Sequence, residues 1–336
     1  MFLLLFLGPV LRAVCKVLPG DTVWLTTQLQ HVRWDGFVLW DIIMPLFLFM
    51  SGITIPFSMA KYRNGLRPDG QFYLKLVRRF FILFFLGWIV QGNLLLWDWK
   101  LFHPFANTLQ AIAVGYVITS LTFVYLKPKW QIVVCAGLFA AYWILFACTG
   151  MNTNPQDNVA MIVDKAVLGS HRDGVEWAAD GTWRFMKRYQ YTWVLSSLNF
   201  AVTVLLGCFA GQILRSDKNA PAKRALLILV AGVVLIAAGL LLSPVFPVIK
   251  KIWSSTMTLL SGGICFMLIG ITYYVVDVRK WKKGLSWLKI YGMNAITAYC
   301  IGEMLQYNTV PQAIGNALLV FVVLLVMYRK KLFIKV

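Results

Sequence analysis

The chain has 336 residues, of which 60% are hydrophobic and 13% are charged, and its mean hydropathy is +0.71. A soluble domain usually carries about 25% charged residues, so this chain has too little polar surface to cover a water-soluble particle. Its apolar residues fall in long runs bounded by charges, which is typical of helices that cross a bilayer. Open sheets are excluded in lipid because their edge groups stay unpaired.

About ten apolar runs follow one another along the chain. They predict an all-α, polytopic transmembrane helical bundle that forms a single domain over 1–336. The predicted spans are 2–18, 37–60, 78–97, 105–126, 131–149, 192–214, 224–243, 255–276, 286–306 and 312–328.

The connections between these spans alternate in charge. Of the 32 basic residues, 21 lie in a set of connections that contains only three acidic residues. The positive-inside rule predicts that this set, and with it the C-terminus, is cytoplasmic. The set comprises 61–79, 127–129, 215–224, 277–289 and 329–335. The net charge of +19 is explained by this topology, and we expect no nucleic-acid partner.

The remaining connections are predicted to face outward. The longest of them, 150–191, contains Trp177, Trp183, Tyr189 and Tyr191 among mixed charges. A loop of this length is either a functional lid or substrate platform or a solvated connector.

Cysteine and histidine usage argues against a metal centre. The six cysteines lie in apolar stretches without a CxxC pair, which is typical of packing residues. Three histidines are too few for a multi-histidine site. We therefore expect neither a structural nor a catalytic metal.

The stretch that begins at His31 and enters the second predicted span at Asp41 is the most informative. It brings a histidine, an arginine and two aspartates to the outer edge of the membrane, where ionisable groups are costly and usually face a polar interior. His31 suits general-base chemistry, and the Asp41 carboxylate could orient its ring or a substrate amine. The alternative is an interfacial histidine that caps a helix.

Further polar residues interrupt the apolar runs. Asn107 and Gln110 open the fourth span, Asn294 and Glu303 lie in the ninth, and an outer connection carries two adjacent lysines, Lys250 and Lys251. These side chains either line one cavity or make hydrogen bonds between helices.

On the inner side, Arg78 and Arg79 open the third predicted span. They either bind the phosphates of a cytoplasmic ligand or set topology and meet anionic lipid headgroups. The sequence contains no Walker A loop, dinucleotide-binding fingerprint or Gly-x-Ser-x-Gly elbow, so ATP-driven transport is not supported.

A series of short motifs runs in order along nearly the whole chain. They are His31-x-x-Trp34-x-Gly36 with Asp41 and the following Pro45–Gly52 run, Arg79 before Gly87, Thr108-Leu-Gln110, Lys250-Lys-Ile-Trp253, Gly292-Met-Asn294-Ala-Ile296 with Tyr299 and Glu303, and the ending from Tyr328. Together they resemble the heparan-α-glucosaminide N-acetyltransferase family, which includes bacterial transmembrane relatives.

The resemblance implies an enzyme that moves an acetyl group from cytoplasmic acetyl-CoA to the amine of a glucosamine-type sugar on the periplasmic or lumenal side. It assigns the active-site histidine to His31 and makes Asp41 its partner in catalysis. The expected binding residues for the two substrates are Trp34, Arg78, Arg79, Gln110, Lys250, Lys251, Asn294 and Glu303. The resemblance also implies a bacterial inner membrane as the location.

The chain departs from the family pattern at three places. A basic stretch and a Leu-Asp-x-x-Arg-Gly signature usually precede the first span and are missing before Met1. Either the start is misassigned or the first helix is truncated, and in the second case we expect part of the CoA entrance to be lost. Asp35 stands where many relatives have Asn, and Ala111 stands where Arg is usual.

Two alternatives remain open. A sugar or lipid-linked-sugar transporter or flippase would also be polytopic, but it should show internal repeats, and none is clear here. An acyltransferase with another acceptor or an inactive relative would share the motifs. The apolar helix faces permit a homodimer without requiring one.

Overall fold

The computed structural model of this chain describes residues 8–15, 23–63, 65–187, 191–217, 219–305 and 308–333. The first predicted span, 2–18, therefore lies partly outside the described residues, and Tyr189 lies outside them as well. Parts of three basic connections, at 64, 218 and 334–336, are likewise outside.

Helices dominate the described residues, and one short antiparallel hairpin is the exception. The hairpin pairs β1 (Val175–Trp177) with β2 (Trp183–Phe185). The helices are α1 (Gly8–Cys15), α2 (Val23–Gln28), α3 (Ile43–Ser58), α4 (Ala60–Arg63), α5 (Gly70–Val90), α6 (Thr108–Tyr125), α7 (Pro128–Cys148), α8 (Val159–Leu168), α9 (Ser197–Arg215), α10 (Pro221–Leu242), α11 (Ser255–Tyr273), α12 (Ser286–Met293), α13 (Ala295–Met304) and α14 (Val310–Arg329).

Seven helical segments among the described residues are long and apolar enough to cross a membrane. They match seven of the predicted runs, so the prediction of an all-α, multi-pass membrane protein is confirmed. The count of about ten spans and the side of the C-terminus stay predictions. The seven segments are Leu39–Ser58, Thr108–Tyr125, Pro128–Cys148, Ser197–Arg215, Pro221–Leu242, Ser255–Val278 and Val310–Arg329.

The helix at the third predicted span begins earlier than expected. We placed its start at Arg78, because charges usually bound a span, but α5 begins at Gly70. Asp69 caps it by accepting a hydrogen bond from the Phe72 N–H at 2.9 Å. Lys75, Arg78 and Arg79 therefore lie inside the helix, and the expectation that the two arginines mark its entry into the membrane stays a prediction.

The ninth predicted span is not one continuous helix. It divides into α12 and α13 at Asn294, whose backbone leaves the helical region at φ −125° and ψ 41°. The break falls inside the Gly-Met-Asn motif, so the most polar residue of this run lies where the helical hydrogen bonding is interrupted.

The chain forms two compact units. The first comprises Met1–Val32, Val38–Ile43 and Lys280–Val336. In it α12, α13 and α14 pack around a core that contains Tyr291, Ala298 and Leu324, and α1 packs against α14.

The second unit comprises Arg33–Phe37 and Met44–Arg279. Its α3 and α9 cross at backbone contact: a Cβ added to Gly207 would lie 1.9 Å from the Phe49 carbonyl oxygen, and one added to Gly52 would lie 1.9 Å from that of Val204. Small residues that let helix backbones approach this closely are typical of membrane helix packing.

The long connection 150–191 is folded rather than simply extended. It contains α8 and the hairpin, and Ala160 and Met161 are buried. Ala160 belongs to a buried cluster with Tyr142, Phe146 and Phe246, so this part of the chain packs on the helices of the second unit.

Candidate active site

The structure joins His31 and Asp41 directly. The distance from His31 Nδ1 to Asp41 Oδ1 is 2.7 Å. The histidine side chain is 42% exposed, whereas the Asp41 side chain is 1% exposed. The pair thus combines an accessible imidazole with a buried carboxylate, which is the arrangement of a base and its orienting group.

The local fold fixes the carboxylate. Asp41 lies in a 3-10 turn, Leu39–Ile42, and its second oxygen accepts a hydrogen bond from the Val38 N–H at 3.3 Å. The neighbouring Trp40 is buried, with the Arg12 guanidinium 4.0 Å from its ring centroid. Asp41 therefore precedes α3 and lies in the first turn of the apolar segment Leu39–Ser58.

This geometry sets the chemistry of the ring. An ionised carboxylate can only accept a hydrogen bond, so Nδ1 carries the hydrogen. In the neutral imidazole the lone pair then lies on Nε2. That atom can take a proton or attack a carbonyl carbon.

Arg33–Phe37 belong to the second unit, where they pack against the loop before α11. The Gly36 N–H donates to the Val248 carbonyl at 2.9 Å, and Asp35 forms a β-bridge with Ile249. The Trp34 indole donates to the Thr153 carbonyl at 3.1 Å. Trp34 is therefore held in place by the backbone and packs on a buried aromatic cluster.

Lys250 and Lys251 lie in the same loop, which buried hydroxyl groups hold in place. The hydroxyls of Tyr142 and Ser196 both donate to the Ile252 carbonyl. The Ser254 hydroxyl accepts from the Ile249 N–H and donates to the Pro247 carbonyl. Lys250 is buried. This network was missed by our sequence reasoning, although the Ser-Ser-Thr-Met-Thr run at the start of α11 was its visible sign.

Both ends of the Gln110 amide are bonded to the backbone. Its Oε1 accepts from the Ala106 N–H at 2.7 Å, and its Nε2 donates to the Pro104 carbonyl at 2.9 Å. Asn107 caps the same helix and also donates to the Gly87 carbonyl. These contacts favour a structural role for Gln110 over the predicted binding role.

Asn294 is the opposite case. The residue is 2% exposed, and neither end of its amide has a hydrogen-bond partner among the described residues. The Thr297 hydroxyl, one turn later, is also buried without a partner in that part of the chain. Glu303 is exposed on α13. A buried amide with two unsatisfied ends costs free energy, so Asn294 is a strong candidate for ligand binding.

The two arginines of α5 differ. Arg78 is exposed. The Arg79 guanidinium lies 3.8 Å from the centroid of the Tyr116 ring on α6. Of the predicted binding residues, Arg78 and Arg79 belong with Trp34, Gln110, Lys250 and Lys251 to the second unit, whereas His31, Asp41, Asn294 and Glu303 belong to the first.

The connection 150–191 holds a buried ionic cluster that sequence reasoning also missed. Asp164 accepts from the N–H groups of Trp193 and Val194. Burial raises the pKa of Asp164 to about 6, although these bonds and Arg172 oppose the change. Burial also raises the pKa of Asp173 and lowers that of Arg172. The only signal in the sequence was the Arg-Asp pair itself.

Together the helices and the hydrogen-bonded pair of His31 and Asp41 define a polytopic membrane protein with a histidine–carboxylate pair. The chain is 24% identical to the heparan-alpha-glucosaminide N-acetyltransferase of Homo sapiens over 376 residues, which cover 91% of this chain and 56% of that protein. It is 24% identical to the Mus musculus enzyme of the same name over 375 residues, with the same coverage.

The chain is thus a distant relative of these N-acetyltransferases, and the resemblance noted in the sequence is confirmed at that level. The chain spans about half the length of the curated relatives it matches. No protein-family model matches it.

Proposed function

We propose that this chain is a membrane acetyltransferase that moves the acetyl group of acetyl-CoA to the amine of a glucosamine-type sugar. The observation that carries the proposal is the 2.7 Å hydrogen bond between His31 and Asp41, found in a relative of membrane N-acetyltransferases. The relatives' name supplies the acetyl group and the amino sugar, and the dyad supplies a base for the amine.

In the direct reaction, His31 Nε2 takes a proton from the acceptor ammonium. The free amine attacks the thioester carbonyl carbon, so a C–N bond forms and the C–S bond breaks. The departing thiolate takes the proton back from His31, and the new amide nitrogen releases one further proton to solvent. Asp41 stabilises the imidazolium that exists between these steps.

In the stepwise reaction, His31 Nε2 attacks the thioester first and carries the acetyl group until the amine displaces it. Both routes need the same tautomer, with the hydrogen on Nδ1. The dyad supports either route, and trapping an acetylated enzyme in the absence of acceptor separates them.

The remaining predicted residues, apart from Gln110 and Glu303, take binding roles in this proposal. Asn294 offers a donor and an acceptor to the amides or hydroxyls of a substrate, and the Lys250–Lys251 loop lies beside Trp34, whose ring can stack on a sugar. The basic connections, with Arg78 and Arg79, would face the cytoplasm and receive the phosphates of acetyl-CoA. The acceptor would then bind on the periplasmic or lumenal side, in a bacterial inner membrane.

One observation favours a second candidate, a sugar or lipid-linked-sugar transporter. The break between α12 and α13 resembles the discontinuous helices at transporter binding sites. A transporter needs no acid–base dyad, however, so acetyl transfer remains the preferred function.

The test is turnover by the purified chain. The protein is incubated with acetyl-CoA and glucosamine while CoA thiol release and N-acetylglucosamine are measured together. We expect both products in equal amounts, and we expect His31→Ala to lower the rate by about 10³-fold, because a positioned base contributes 10²–10⁴-fold.

His171→Ala is the matched control, because its ring bonds the Phe102 carbonyl in another loop, and it should keep the parent rate. An unchanged rate in His31→Ala would remove the dyad from the mechanism. Glucosamine transport into vesicles without CoA release would favour the transporter instead.

A further inference from the structure

The loop between α5 and α6, residues 94–101, presents large apolar side chains to its surroundings. Every residue from 95 to 101 is exposed. Trp97 is 90% exposed and Trp99 is 71% exposed. An apolar patch of this kind on a short loop marks an interaction surface. The exposed apolar residues of the loop are Leu95, Leu96, Trp97, Trp99 and Leu101.

Hydrogen bonds give this loop a defined shape. At its base, the side-chain amide of Asn93 donates to the Leu101 carbonyl at 3.0 Å. At its tip, the Asp98 carboxylate accepts from the Lys100 N–H at 2.9 Å. Asp98 and Lys100 carry opposite charges, so the loop has no net charge and its surface is dominated by apolar side chains.

The backbone at Trp97 makes its exposure more unusual. Its φ is +52°, in the left-handed region, which a bulky residue rarely adopts. This conformation costs free energy, and so does an indole ring that is left in water. A partner that covers the ring would offset both costs.

The position of the loop identifies this partner as the lipid bilayer. α6 is long and apolar enough to cross a membrane, and it begins at Thr108, shortly after the loop. Asn107, which caps α6, donates to the Gly87 carbonyl and so holds the end of α5 beside the start of α6. The 94–101 loop therefore lies level with the end of a membrane span, where tryptophan is enriched.

The helix before the loop also has an apolar outer face. Exposed apolar side chains recur every three or four residues along α5, which places them on one stripe. A stripe of this kind on a membrane protein is typical of contact with lipid. Aliphatic side chains neither stack on a sugar nor bond to it, so Leu95 and Leu96 favour lipid over a carbohydrate ligand. The stripe comprises Leu74, Val77, Phe81 and Phe85.

The same loop is joined to the connection 150–191. The rings of Trp99 and Phe102 stack with their centroids 5.3 Å apart, and the His171 ring lies 4.9 Å from that of Trp99. His171 Nδ1 donates to the Phe102 carbonyl at 3.3 Å. Whatever holds the loop therefore also holds this part of the connection.

We propose that the 94–101 loop is an interfacial anchor, which inserts Leu95, Leu96 and Trp97 into the leaflet at that end of α6 and holds the connection 150–191 beside it. Insertion removes the apolar side chains from water, and the indole N–H meets the polar headgroup region. The proposal does not depend on the proposed function, because it concerns lipid and not the transferred group.

Insertion is measured on the full chain in phosphatidylcholine nanodiscs by nitroxide spin labelling. The label is attached to Leu96→Cys or to Trp97→Cys, in a background that carries Cys148→Ala and Cys300→Ala because the other cysteines are buried. Its collision rates with oxygen, which concentrates in lipid, and with a nickel chelate, which stays in water, give its depth. Thermal unfolding confirms that each labelled variant folds.

Two reference labels fix the scale. Val234→Cys lies on the exposed face of α10, an apolar helix long enough to span the membrane, and Asp180→Cys lies at an exposed turn of the hairpin. We expect the labels at 96 and 97 to favour oxygen as the label at 234 does, at a depth of about 5–10 Å into the headgroup and acyl boundary.

Two results would overturn the anchor. Labels at 96 and 97 that collide with the nickel chelate as often as the label at 180 would place the loop in water. Labels shielded from both reagents would show that protein, such as a second copy of the chain, covers the loop in place of lipid.

The hold on the connection is measured by hydrogen exchange of residues 169–173 in the same nanodiscs. Leu96→Ser combined with Trp97→Ser should raise exchange there, because the loop loses its grip on the leaflet. Leu226→Ser combined with Leu227→Ser removes two exposed apolar side chains from the start of α10 and should leave exchange at the parent value. Exchange that is equal in the two double variants would show that the anchor does not hold the connection.

Discussion

Two buried polar regions of this protein differ in whether their polar side chains have hydrogen-bond partners. In the loop before α11, Ser254 alone bonds the Ile249 and Met257 N–H groups and the Pro247 carbonyl. At the break between α12 and α13, the Asn294 amide is equally buried, yet it has no partner among the described residues. Both regions carry polar residues in otherwise apolar runs, so the sequence presents them alike.

This difference distinguishes residues of the scaffold, which hold the chain in place, from residues of the site, which bind a ligand. A buried polar group that the backbone satisfies is needed to hold the chain in place, and removing it leaves its partners unsatisfied. A buried polar group without a partner lowers stability as long as it remains unpaired, so its presence is better explained by something it binds. The experiments below test this distinction by comparing stability with activity.

The dyad gives the largest expected effect. Asp41 accepts a hydrogen bond from the Val38 N–H, as a scaffold residue would, and it also accepts one from His31. Asp41→Asn keeps the shape, but an amide that donates to Nδ1 selects the wrong tautomer, so we expect kcat to fall by about 10³-fold. The measurement is CoA release at saturating acetyl-CoA.

Asp35→Asn is the control for Asp41→Asn, because Asp35 lies in the same stretch but is exposed and takes part in the β-bridge through its backbone. It should retain the parent kcat. If Asp41→Asn lowered the melting temperature but kept the parent kcat, Asp41 would be a structural residue and not a catalytic one.

The sequence predicted the helical membrane fold and the residues of the dyad, because long apolar runs and an ionisable cluster at a span entrance are local signals. It placed the start of α5 too late, because a helix continues through basic residues once Asp69 has capped it. It could not separate Gln110 from Asn294, because whether an amide meets a carbonyl depends on how distant segments pack.

The ionic cluster of the 150–191 connection gives the next largest effect. A folded-state pKa above the unfolded value stabilises the fold below the unfolded pKa, and the contribution is lost as the pH rises through the folded pKa. For Asp164 the pKa rises from 3.8 to about 6, a difference equivalent to ~3 kcal/mol. This connection should therefore become less protected as the pH rises from 4 to 7.

Hydrogen exchange of residues 159–187, corrected for the intrinsic rate at each pH, measures this loss. Asp164→Asn should remove part of the pH dependence, with Asp173 responsible for the rest because burial raises its pKa in the same direction. Asp180→Asn, at an exposed turn, is the control. Protection that increases with pH would contradict the assignment.

For the loop before α11 we expect a smaller effect, on the free energy of unfolding. Ser254→Ala leaves two buried N–H groups and a carbonyl without their shared partner, so we expect the free energy of unfolding to fall by ~2 kcal/mol. Thermal unfolding in detergent measures the change. Ser243→Ala, which removes an exposed hydroxyl bonded to the Leu240 carbonyl, should change stability little, and equal losses in the two variants would contradict the distinction.

For the break between α12 and α13 we expect the smallest change in stability. Asn294→Leu has a similar shape and removes an amide that has no partner to leave behind, so it should stabilise the protein by up to ~1 kcal/mol while raising KM for one of the substrates. Asn107→Leu is the matched control, because that amide bonds Gly87 and two N–H groups and its loss should destabilise. If Asn294→Leu destabilised as much as Asn107→Leu with KM unchanged, Asn294 would be a structural residue, and an unpaired buried amide would no longer identify a ligand site in this protein.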